Sequence, residues 1–359
     1  MTISGTGFSS TPSSNAVTFN GTSATVSSAT GMQLVVSVPT GATSGPIAVT
    51  SPSGSATSSS SYTISSSSAA PTITGLSPTT VTTINGTVAI TGTNFDVIAN
   101  DRVKLNVSPL TTLSSVTSTN ITAAIPITAT SGHVSVSTPN GTVVSTTDLF
   151  FPWDPAHGIF ISPLLYTGRM SIGGFTSPNF SSAGKGIILF DGVPGQRVYL
   201  ASSSVCSGVI QDPLANLLTP NVGGTTALTV TGTYSIIAQA NAAGTCTFTL
   251  SSVPPDVTGQ VSVNGASVPA TTSTTGQMIN LTFNAAGGQN ATVSWTSNSI
   301  SNMEMFLYGP TGGTVTFSGS GGSSGTLNSQ FLGLPGNYTI TVFSISGASG
   351  GITLSVTSP

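Results

Sequence analysis

A chain of 359 residues is long enough for two to four domains. Only 4% of its residues are charged, with a net charge of −3, and Arg102, Lys104, Arg169, Lys185 and Arg197 lie scattered. Nucleic-acid binding, which needs clustered cations, is excluded, and an anionic membrane surface is a poor partner for the same reason. No apolar run approaches the roughly 20 residues of a spanning helix, so no membrane insertion is expected. Met1 is followed by neither a basic nor an apolar leader segment. The apolar residues, 37% of the chain, fall in short β-branched alternations, which favours folded strands over disorder.

Strands are legible from the first residues onward. Val17 and Phe19 alternate with polar residues, Asn20-Gly21 signals a hairpin turn, and Ala24 and Val26 resume the alternation. Leu34, Val36 and Val38 alternate up to Pro39, and Ile47 and Val49 mark the next strand. Residues 88–141 repeat residues 1–54: Phe8 matches Phe95, Pro39 matches Pro126, and Gly54 matches Gly141, at one offset of 87. Pro71-Thr72-Ile73-Thr74-Gly75-Leu76-Ser77-Pro78, followed by Gly86, Val88, Ile90, Gly92 and Phe95, resembles the start of the TIG/IPT immunoglobulin-like sandwiches. The resemblance spans residues 1–151 and implies two modules, 1–65 and 71–151. The first begins at Met1-Thr2-Ile3, without the family's opening strand. That expectation reads the chain as cut from a longer protein, its signal peptide lost with the missing part.

A second duplication follows. "LFDGVPGQRVYLASSS" corresponds to "LTFNAAGGQNATVSWTS", and Gly232-Thr233-Tyr234 to Gly336-Asn337-Tyr338. These units, 165–253 and 257–359, resemble pre-peptidase C-terminal-like sandwiches. With Arg169 in "TGRMSIGG", they are similar to modules ahead of the repeats in bacterial YD-repeat (RHS-type) surface proteins. The expected fold is all-β: four tandem antiparallel β-sandwich modules in an extended arrangement. Connectors fall at Ser65–Ala70, at Phe151–Pro155 and at Val253–Asp256, where paired prolines stiffen the chain.

Few groups could do chemistry. Asp154 and His157 are the one close Asp–His pair, and they sit in a Pro/Gly connector that reads as a solvated loop. His133 takes the place of Pro46 in the repeat, which reads as a tolerant surface position. Gly321–Gly325 fits G-x-S-x-G without the helix that motif requires, so it reads as a hairpin loop. Asn94, Asp96, Asn100 and Asp101 form the densest oxygen cluster and read as a polar loop rather than a calcium site. The sequons at Asn20, Asn85, Asn140 and Asn337 are explained by turn chemistry. Trp153, Trp295 and Tyr166 are candidate sugar-stacking rings; alternation places Trp295 in a core, and Trp153 reads as a wedge between modules.

Cys206 and Cys246 fall in one module and fit either a disulfide of an oxidising compartment or two buried thiols. No catalytic, cofactor-binding or metal-ligating residue is assigned, and no cofactor is expected. The expectation is a non-catalytic stalk or adhesive region at a bacterial cell surface or outside the cell, with glycans or proteins as partners. The alternative is a carbohydrate- or peptide-binding accessory region of a secreted hydrolase.

Overall fold

The computed structural model describes residues 1–39, 41–64, 69–96, 102–154, 159–220, 224–319 and 322–359. Among them the regular structure is strand throughout, apart from one 3-10 turn at Pro12–Ser14. By compactness the chain divides into two units. The first holds Met1–Leu105, Pro109–Pro126 and His133–Leu149; the second holds Asn106–Ser108, Ile127–Gly132 and Phe150–Pro359.

In the first sandwich, Thr2–Ser4, Gln33–Val36 and Val26–Ala29 pair in that order. The facing sheet runs Thr22–Ala24, Ala16–Phe19, Ile47–Ser51, Gly54–Thr57. The predicted alternation closes the core: Val17, Phe19, Leu34, Val36, Ile47 and Val49 are all buried. The second sandwich repeats this plan with Thr87–Thr93, Asn120–Ala124 and Leu113–Val116 opposite Ser108–Pro109, Arg102–Leu105, Gly132–Thr138 and Gly141–Leu149. It adds Thr72–Ser77 along Thr87–Thr93. Among the described residues the equivalent strand Thr2–Ser4 pairs on one side only, with Gln33–Val36.

One detail of the repeat needs correction. Ala16 lies opposite Thr50, and Arg102 lies opposite Ser137. The partner strands keep the offset of 87, but these two strands match at 86. One residue is lost before the second hairpin and regained after it. Asn20 and Asn106 then occupy the same turn, both at positive φ (44° and 54°), which Asn tolerates.

The third and fourth sandwiches share a topology strand for strand. The third pairs Leu164–Arg169, Gly184–Gly192, Gly232–Ala240, Cys206–Gln211 and Leu217–Leu218 in one sheet. Phe175–Thr176, Phe248–Ser252, Arg197–Ser202 and Thr225–Ala227 form the other. The fourth uses Val257–Gln260, Ile279–Ala285, Gly336–Ser344, Met303–Tyr308 and Thr314–Gly319. Its second sheet is Val268–Thr271, Gly351–Thr357, Gln289–Thr296 and Gly325–Leu332. The sheets are not wholly antiparallel as expected: Leu164–Arg169 and Val257–Gln260 each join their five-stranded sheet in parallel. Each enters through the connector ahead of its module, so the chain crosses over before the next strand.

A buried tyrosine holds each of these two sandwiches. Tyr234 donates to Val230 O at 2.7 Å and accepts from Val230 N at 3.0 Å. Tyr338 donates to Leu334 O at 2.8 Å and accepts from Leu334 N at 3.4 Å. Each ring stacks on a phenylalanine, Phe190 at 5.3 Å and Phe283 at 5.5 Å. The "GxY" motif is therefore a corner: the ring fills the core while the hydroxyl ties down the preceding loop.

The proline connector is pinned as well as stiff. Arg197 donates to Pro254 O at 3.1 Å and to Asp256 Oδ1 at 2.8 Å. Gln277 Nε2 donates to Pro255 O at 2.7 Å, and Met278 N donates to Asp256 Oδ1 at 3.2 Å. Tyr199 lies beside Gly224, Gly276 and Gly347, all at positive φ. A Cβ on any of the three would come within 2.8 Å of the Tyr199 side chain. Glycine is required there both for its backbone angle and for the room it leaves.

Two predictions follow from the tyrosines. Tyr338→Phe removes both hydrogen bonds of its corner and should cost about 1–2 kcal/mol in urea unfolding, the core ring being kept. Burial raises the pKa of Tyr199 and of Tyr234 above the usual value near 10; backbone bonds to Val230 and Thr229 partly oppose this at Tyr234. The folded state thus holds these protons more tightly than the unfolded chain. Their contribution to stability is complete below pH ~10 and is lost as pH rises through the folded-state pKa values. The urea midpoint should fall above pH ~10, and less steeply in Tyr199→Phe.

Candidate functional site

The five-stranded sheet of the fourth sandwich turns one face inward. Ile279, Leu281, Phe283, Met303, Met305, Leu307, Tyr338, Ile340 and Val342 are buried in its core. The alternate residues point the other way. Strand register sets them in rows. Gln260, Thr282, Thr339 and Tyr308 form one row across four strands. Thr258, Asn280, Thr341, Phe306 and Phe317 form the next across five. Asn284 and Asn337 are paired beyond the first row.

The face has an aromatic half and a neutral polar half. Phe306 sits 5.5 Å from Phe317 and 5.8 Å from both Tyr308 and Phe343, centroid to centroid. Each of the three ring planes lies within 20° of that of Phe306. Phe317, at the outer end, is 62% exposed. In the polar half, Asn284 Nδ2 donates to Asn337 Oδ1 at 3.1 Å. Thr341 Oγ1 donates to Asn280 Oδ1 at 2.7 Å, and Asn280 Nδ2 donates to Asp256 Oδ2 at 3.3 Å. Gln260, Ser262, Thr282, Asn284 and Asn337 also line a notch of about 350 Å³ at the sheet edge. Glu304, which pairs with Phe343, is the one charged residue on the strands Met303–Tyr308, Thr314–Gly319 and Gly336–Ser344.

The rings chosen from sequence are elsewhere. Trp295 is buried in the fourth core, and its Nε1 donates to Gly322 O at 3.3 Å. Tyr166 packs on the third core beside Phe180 and near Thr176. Trp153 pairs in register with Phe160 in a short two-stranded ribbon. Phe306, Tyr308, Phe317 and Phe343 were legible only as the alternations "MEMFLY", "VTF" and "ITVF"; what joins them is pairing between strands far apart in sequence.

His133 differs from its expected role. It is half-buried, with Nδ1 3.5 Å from Asp148 Oδ1, not a tolerant surface position. Asn94 uses its side chain to hold Ala70 O at 3.0 Å, and its φ is positive. Asn100, Asp101, His157 and Gly321 lie outside the described residues. Among the described residues no three His, Cys, Asp or Glu side chains come together to hold a metal ion.

Arg169 pairs with Asp191, Arg197 pairs with Asp256, and Lys185 is engaged as well. Arg102 and Lys104 border a cleft of about 620 Å³ in the second sandwich, over Leu110, Leu113 and Val116. The corresponding residues of the first sandwich are Ala16 and Thr18.

Cys206 and Cys246 are joined in a disulfide, with Cα atoms 5.8 Å apart. Both are buried in the third core. The bond closes a loop of 40 residues and is worth about 3–4 kcal/mol in the chain-entropy picture. Intact-mass analysis of exported protein should show no free thiol, and Cys206→Ala/Cys246→Ala should unfold at lower urea by that amount.

Residues 1–66 and 71–151 match the IPT/TIG domain family. No curated protein matches the chain. Among solved structures, the pre-peptidase C-terminal domain of collagenase from Bacillus anthracis is similar at 19% identity and TM-score 0.25, over 29% of this chain and 97% of that one. SGBP-B from a complex xyloglucan utilization locus in Bacteroides uniformis is similar at 12% identity and TM-score 0.21, over 96% and 91%. Among the described residues no helix is long and apolar enough to cross a membrane.

Proposed function

We propose that this chain is a non-catalytic structural and adhesive region of a bacterial cell-surface or secreted protein. The carrying observation is the ring cluster on the outer face of the fourth sandwich's five-stranded sheet, where Phe343 is buried, Phe306 and Tyr308 are half-buried and Phe317 is exposed. The inner rings support one another on that face, and the exposed Phe317 leaves apolar surface at its open end for contact with something else. The disulfide fits an oxidising compartment. The IPT/TIG modules and the duplicated sandwiches supply scaffold, and the likeness of residues 165–359 to modules of YD-repeat proteins favours a stalk.

The neutral polar rows beside the rings favour a second reading, an accessory binding region of a secreted hydrolase. The full-length gene separates the two: a YD-repeat region downstream supports the stalk, and a protease or glycosidase domain supports the accessory role. In either case the chain itself should turn over no ester, peptide or glycan substrate. Turnover that survives repurification and disappears in His157→Ala contradicts the proposal.

A further inference from the structure

We infer that the outer face of the five-stranded sheet in the fourth sandwich binds a neutral polysaccharide. The inference rests on the adhesive reading above and adds its ligand class. The third sandwich provides an internal comparison, because register equates the two sheets residue by residue. Ile187 lies opposite Ile237 and corresponds to Asn280 opposite Thr341. Leu189 opposite Ser235 corresponds to Thr282 opposite Thr339. Val209 and Gln211 correspond to Phe306 and Tyr308.

The same surface is used in two ways. In the third sandwich Ile187, Leu189 and Ile237 are buried together with Ile161, and Phe150 and Leu164 pack against them. Ile161 and Phe150 cover part of that face, and apolar residues suit a dry cover. In the fourth, those positions are Asn280, Thr282 and Thr341. Thr341 donates to Asn280, Asn280 donates to Asp256, and Thr282 Oγ1 donates to Gly259 O at 3.3 Å, so the fold itself supports a polar face here. An occupant with hydroxyl groups can use the amide positions of Asn280, Asn284 and Asn337 that these bonds leave open.

Charge narrows the class. The outward rows from Thr258 to Phe317 and from Gln260 to Tyr308 carry no cation, and Glu304 adds a negative charge beside the rings. Uronates, sulfated glycans and nucleic acids find nothing to neutralise them there and are repelled by the carboxylate. Rings beside a neutral polar strip match a pyranose chain. Its C–H faces pack on aromatic π-systems, and its hydroxyls both donate and accept towards amides and threonines. The longer row crosses five strands at about 4.8 Å spacing, so the strip offers about 19 Å of continuous contact, room for several sugar units.

Native gels of the intact chain cast with a soluble β-glucan, a mannan, an arabinoxylan, polygalacturonate or gelatin test this. Retardation by at least one neutral polymer is expected. Phe317→Ala, at an exposed ring, and Asn337→Ala should each weaken it at least tenfold. Phe175→Ala, at a 72% exposed ring of the third sandwich, should leave it unchanged. Retardation by none of the polymers, or only by polygalacturonate or gelatin, overturns the inference. So does neutral-polymer retardation that survives Phe317→Ala. Each of those results leaves the non-catalytic reading standing; cleavage of a polymer in the gel would overturn that reading instead.

Discussion

Each sandwich closes by burying alternate residues of two sheets against one another, and with 4% of residues charged it has few ion pairs to add. The chain is held by that apolar alternation, by backbone ladders and by a small number of tied corners. Leu34 opposite Ile3 in the first sandwich and Leu281 opposite Ile340 in the fourth are the same device. Once the inner face is committed, the outer face is free to vary, and the duplicated sandwiches show how far it does. The third and fourth keep the stacked Tyr–Phe pair and the hydroxyl-tied loop while their outer faces diverge from isoleucine and leucine to asparagine and threonine.

The second unit spends its scarce charges on joints. Arg197 and Asp256 meet at the proline connector, and Asp256 also receives Met278 N and the Asn280 amide. A half-buried pair of this kind, with further hydrogen bonds on the carboxylate, is worth more than an exposed one because solvent screens it less. Arg169 and Asp191 lie further out, with Asp191 Oδ1 also accepting from Thr233.

Much of this was legible in the sequence, for physical reasons. Period-two alternation at Val17, Phe19, Leu34 and Val36 identified strands because one face must be buried. Trp295 fell into the core by the same logic. The parallel entry of Leu164–Arg169 and Val257–Gln260 was not legible, since alternation is the same whichever way an edge strand runs. The one-residue slip between Ala16 and Arg102 was hidden because both flanks keep the offset of 87. The aromatic face was missed because attention to isolated tryptophans passes over phenylalanines that only pairing brings together. Phe306 and Phe317 are neighbours through a hairpin register, and Phe343 arrives from a third strand.

The claim that ties these observations together is that one sheet face, and no cleft or core, is the contact surface. Backbone amide NMR of the labelled chain during titration with a neutral oligosaccharide tests it most directly. Shifts should gather on Gln260, Thr282, Phe306, Tyr308, Phe317 and Asn337, while Ile187, Leu189 and Val209 on the equivalent face of the third sandwich stay fixed. Shifts that gather instead around Arg102, Lys104 and Leu113, or that spread evenly over both equivalent faces, would contradict the account.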